Sequence, residues 1–131
     1  MTRLLSVFVF IFGAICVLIA LAHIALGPQI IPGSITVTPT MDSEDRFYAV
    51  MFLGWGAAIM YCALDLRERG ALFGALLLTF FLGGIARIIS ALMVGLPSLL
   101  FIFLGLLELA LPPWLWRWYR NVSADLARPA E

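Results

Sequence analysis

Two charged residues stand inside runs that are otherwise apolar. Arg87 lies in Gly83-Gly84-Ile85-Ala86-Arg87-Ile88-Ile89-Ser90, and Glu108 lies in Leu104-Gly105-Leu106-Leu107-Glu108-Leu109. A guanidinium there can hold the anionic head of a small molecule, and a carboxylate there can serve as acid or base or pair with the cation. The runs meet at Val94-Gly95-Leu96-Pro97-Ser98, which reads as a turn between two antiparallel helices. At a rise of about 1.5 Å per residue, Arg87 lies roughly 13 Å and Glu108 roughly 18 Å from Leu96. Helical side chains lean toward their own N-terminus, so Arg87 leans away from the turn and Glu108 leans back toward it. The leans close the gap in depth, and an ion pair is expected.

Two readings of that pair stand side by side. Removing each ion from water costs several kcal/mol, so a buried pair is weak evidence of stability. Charges within membrane spans therefore point first to function. The alternative is a pair that only fixes helix register. Ser90 shares the face of Arg87 one turn on, and Gly83, Gly84 and Ala91 leave room beside it for a helix or a ligand.

Further polar residues collect toward the same end of the helices. His23 falls near the end of the first apolar run, and Glu44 and Arg46 fall at the start of the second. Arg46 reads as a pocket-lining or headgroup-contacting residue and His23 as an interfacial hydrogen-bonder. Glu44 and Asp45 read chiefly as charges that favour a helix N-terminus. Arg87, Glu108, Arg46, Glu44, Ser90 and His23 together define an expected polar pocket open outward.

Other chemistries find no residues. One histidine and no Cys/His spacing exclude a multi-histidine or zinc-type site, so no metal is expected. No glycine-rich phosphate loop, serine elbow or CxxC is present, and no cofactor is expected. The formal net charge of zero argues against a nucleic-acid partner.

The elements that must position these residues are membrane helices. Of 131 residues 63% are hydrophobic and 12% charged, whereas soluble domains run near half and a quarter. Leu4 to Leu26 is long enough to span a core of about 30 Å. It begins like a signal peptide, yet its apolar part exceeds the usual h-region, and an uncleaved first span is expected. Further helices are expected over about 43–65, 71–94 and 98–116, with an outer loop at 27–42 and a tail at 117–131. Asp42 is expected to open the second helix, with Asp45 three residues on as a variant capping box. Ile35-Thr36-Val37-Thr38 alternates like a strand too isolated to form a sheet. Pro112-Pro113 is expected to kink or break the last helix, before Trp114, Trp116, Trp118 and Tyr119 form an interfacial belt.

All eight basic residues are arginines. Arg3, Arg67, Arg69, Arg117, Arg120 and Arg128 fall on one side of a four-span arrangement, with Arg46 opposite. The arginine-rich side is cytoplasmic by the positive-inside rule. The expected fold is an all-α, antiparallel four-helix transmembrane bundle with both termini cytoplasmic. Cys16 and Cys62 would lie at depths of about 15 and 25 Å, too far apart for a disulfide.

The charged positions resemble a known family. Ser43-Glu44-Asp45-Arg46-Phe47-Tyr48 is similar to one of its signatures. Gly83-Gly84-Ile85-Ala86-Arg87-Ile88-Ile89-Ser90, then Gly95-Leu96-Pro97, then Glu108 and Pro112, is similar to another. Both belong to domain of unknown function 4345, small four-helix membrane proteins that are mostly bacterial. The resemblance runs from the first helix to Pro113 and implies a multi-pass protein of the bacterial inner membrane. It supplies no chemistry. The residues favour a binding protein for a small amphipathic or lipidic molecule, its anionic head on Arg46 and Arg87. The alternative is an accessory subunit of a larger membrane complex, built on a protein partner or further copies of the chain. An isomerase-like enzyme using Glu108 as acid/base is a third reading.

Overall fold

The computed structural model describes residues 2–33 and 36–127. Ser34 and Ile35 of the expected outer loop and strand-like run, and residues 128–131 of the tail, Arg128 among them, lie outside the described residues. The described residues form four α-helices and one short 3-10 turn, with no strand among them. The helices are α1 (Thr2–Leu26), α2 (Pro39–Leu64), α3 (Gly70–Val94) and α4 (Leu99–Ala127), and the turn is Pro28–Ile30. Each helix is long and apolar enough to cross a membrane. The chain divides into two compact units, residues 7–64 and residues 65–131 with the first six.

The first unit is an antiparallel hairpin of α1 and α2. Gly13 and Gly56 mark its closest approach. A Cβ built on Gly13 would come within 2.8 Å of the Gly56 carbonyl oxygen, and one on Gly56 within 3.1 Å of the Val17 nitrogen. Small residues let helix backbones close to this range. Phe12 packs edge-on against Trp55 at 5.8 Å beside that contact. The buried residues of this unit include Val9, Ala20, Ile59 and the cysteines Cys16 and Cys62.

The start of α2 differs from the sequence expectation. The helix opens at Pro39, not near Asp42. Thr38 caps it: its Oγ1 accepts from the Met41 amide at 3.3 Å, and its carbonyl accepts from the Asp42 amide at 3.0 Å. Proline suits the first helical position because the N–H it lacks would have no intrahelical partner there. Threonine before it supplies the acceptor for an orphan donor. Asp42 and Asp45 are thereby released from capping and lie inside the first turns.

The second unit is an antiparallel hairpin of α3 and α4, joined by residues 95–98. Its register is set by small residues on α3. Tyr119 lies over Gly70, Trp116 over Gly74, and Leu109 over Gly84, where an added Cβ would collide with each. Its large buried apolar residues include Phe73, Leu77 and Leu115.

The last helix extends further than expected. It runs through Pro112 and Pro113 to Ala127, so the residues expected as the first part of a tail are helical. Each proline removes one backbone donor, leaving the carbonyls of Glu108 and Leu109 without their usual helical partners. The proline φ is itself close to helical, so the chain can continue. Packing on α3 holds the continuation, with Tyr119 edge-on to Phe73 at 5.8 Å.

Candidate functional site

Arg87 and Glu108 meet. Arg87 Nε donates to Glu108 Oε2 at 2.7 Å across the α3–α4 hairpin. The arginine stem runs past Gly105, whose missing side chain makes the space; a Cβ there would sit 3.4 Å from Arg87 Cδ. The guanidinium carbon lies 5.4 Å from the centre of the Phe101 ring, within cation–π range. The two ions are unequally placed: the Glu108 side chain is 12% exposed and that of Arg87 39%.

The geometry leaves part of the arginine unused. Only Nε serves Glu108. Among the described residues no protein acceptor meets Nη1 or Nη2. The carboxylate and the phenyl ring therefore orient a guanidinium whose outer edge still carries four N–H donors. Ser90 is exposed and makes no side-chain hydrogen bond among the described residues.

His23 and Arg46 belong to a second polar cluster, complete within the α1–α2 hairpin. His23 Nδ1 lies 2.9 and 3.1 Å from the two carboxylate oxygens of Asp45. An ionised carboxylate only accepts, so the proton on Nδ1 is the donor. Arg46 donates from Nε and Nη2 to the two oxygens of Asp42, at 2.8 and 3.1 Å, and from Nη1 to the carbonyl of Ile24. This fork straps the first turns of α2 to the last turn of α1. Gly27 closes α1 beneath it at φ 73° and ψ −172°, a conformation essentially confined to glycine. Its amide donates to the His23 carbonyl at 2.8 Å. Glu44 is exposed, with no ion pair among the described residues.

Of the residues singled out in the sequence, the structure joins Arg87 with Glu108 and gives His23 and Arg46 partners of their own. Those partners, Asp42 and Asp45, look in the sequence like helix-terminal charges. Asp42 and Arg46 stand at i,i+4, the spacing of a helical ion pair, and that signal was in the sequence. Among the described residues no group of three or more His, Cys, Asp or Glu could hold a metal ion.

Four helices of membrane-crossing length and composition, in two hairpins each carrying its own polar cluster, define a small multi-pass helical membrane protein. The family follows from the sequence: residues 4–119 match the family model Domain of unknown function (DUF4345), and the chain belongs to that family. No curated protein and no solved structure matches the chain.

Proposed function

We propose that the protein binds a small anionic amphiphile, with the head on Arg87 and the chain along the apolar face of the α3–α4 hairpin. One observation carries this reading. Arg87 is anchored by Glu108 through Nε alone, and its two terminal nitrogens have no protein partner among the described residues. Planar carboxylates and phosphates accept such a pair of donors bidentately. An arginine held in place for that purpose loses little side-chain freedom on binding.

Orientation completes the reading. Arg3, Arg67, Arg69, Arg117 and Arg120 support a cytoplasmic side for the termini, in a bacterial inner membrane. Successive helices then cross the membrane in opposite directions. Arg87 lies about 10 Å from the outward end of α3 at Val94, within reach of an amphiphile entering from the outer leaflet.

A second reading rests on a different feature. At the turn between α3 and α4, Leu92, Met93, Val94, Leu96 and Leu99 are each at least 80% exposed. So large an apolar tip suits contact with another membrane protein as well as with lipid, and it is what favours an accessory subunit.

Native mass spectrometry of the gently purified protein tests both. The expected result is a bound species of lipid-like mass on the wild type that is lost from Arg87→Met. A wild type and an Arg87→Met that carry the same species in the same number would sink the Arg87 site. A protein partner in place of that species would support the accessory reading.

A further inference from the structure

The end of α4 carries an arrangement that the Arg87 site does not use. Because the helix continues past Pro112 and Pro113, its side chains keep helical spacing to Ala127. Trp114, Arg117, Trp118 and Asn121 stand at i, i+3, i+4 and i+7, one face of the helix. They line an open groove of about 480 Å³. The two indoles lie 5.2 Å apart, tilted at 55°. Trp114 is half exposed, and Arg117 and Asn121 are exposed.

Arg117 has no acidic residue within one turn on this helix. The positions three and four residues away are Pro113, Trp114, Arg120 and Asn121. None is acidic, and Arg117 forms no ion pair among the described residues. Arg120, exposed nearby, adds a like charge. The groove is thus cationic and aromatic-walled. Indoles favour the level of the lipid headgroups, and a guanidinium fork fits a phosphate. One and two turns toward the membrane interior, Leu111 and Leu107 continue the same face with apolar side chains.

We infer that this face binds the headgroup of one anionic phospholipid. Its phosphate lies on Arg117 and the Asn121 amide. The glycerol crosses Trp114 and Trp118, and an acyl chain follows Leu111 and Leu107. Charge selects the lipid: Arg117 attracts a net anionic headgroup and repels the cationic group of a zwitterionic one, and Arg120, off the groove, adds only a weaker field.

The test uses the full chain in mild detergent with equal amounts of phosphatidylglycerol and phosphatidylcholine, read by native mass spectrometry. The wild type is expected to retain phosphatidylglycerol over phosphatidylcholine. Arg117→Gln is expected to lower that retention about fivefold, the effect of one cation near an anionic surface. Arg120→Gln, off the groove, is expected to change it far less, and in an Arg87→Met background Arg117→Gln is expected to lower the remaining retention by the same factor, which separates this site from the one proposed above. Circular dichroism of each variant checks that the helices are retained. An Arg117→Gln with wild-type retention would overturn the inference. So would an equal loss in Arg120→Gln, which would mean diffuse attraction with no site.

Discussion

The Arg87–Glu108 pair predicts an unequal response to losing either partner. Replacing Arg87 by Met strands a carboxylate whose side chain is only 12% exposed. Stranding a buried charge costs about 3–5 kcal/mol, and the low end, about 3, applies here because some exposure remains. Replacing Glu108 by Leu strands a guanidinium that is 39% exposed, with its outer nitrogens already free. What is lost is mainly one charge-assisted hydrogen bond, discounted for exposure to about 1–2 kcal/mol. The double variant Arg87→Met/Glu108→Leu removes both charges and keeps comparable apolar volume. Such swaps are often neutral or stabilising, so its cost should be no more than about 1 kcal/mol.

The cycle therefore closes with a coupling of at least about 3 kcal/mol between the two positions. Unfolding by dodecyl sulfate in mixed micelles, followed by far-UV circular dichroism, measures all four proteins under one condition. A double variant as unstable as the sum of the singles would show that the two ions do not stabilise each other. Equal costs for the two singles would show that burial does not set the difference.

Two other outcomes are expected. A cysteine at Thr36, exposed between α1 and α2, should react with an impermeant thiol reagent on intact cells, while one at Glu68 should not. The opposite pattern reverses the proposed orientation. Gly27→Ala should destabilise the protein by about 1–3 kcal/mol, the cost of a strained backbone conformation. Its Cβ would also press on the Asp42 carboxylate. Chemical denaturation of this variant at wild-type stability would mean the α1 terminus relaxes freely.

The spans and the Arg87–Glu108 contact were legible because they depend on few variables. Apolar run length sets the spans, and helical rise with side-chain lean sets the depth of two charges on one hairpin. The start of α2 was obscured by Pro39, which reads as a breaker unless the preceding Thr38 is seen as its cap. The end of α4 was obscured for a related reason. Two prolines weaken a helix locally, but Tyr119 on Gly70 and Phe73 holds the chain beyond them, and packing between distant residues has no local signature. His23 with Asp45 belongs to the same class, since 22 residues and a change of direction separate them.

The two arginines inside the hairpins looked alike in sequence, and their hydrogen bonding sets them apart. Arg46 gives Nε and Nη2 to Asp42 and Nη1 to the Ile24 carbonyl, so every guanidinium nitrogen already has a protein acceptor. An incoming anion would have to displace Asp42 or share its donors, and it would meet the negative charge of Asp45 nearby. Arg87 gives one nitrogen to one carboxylate and leaves two open. Binding there need not break the Nε bond, and Glu108 would keep the fork aimed while the ligand is held. If an anion is bound within either hairpin, the free donors favour α3 over α2. Removing Arg46 should therefore loosen the α1–α2 strap more than it weakens binding.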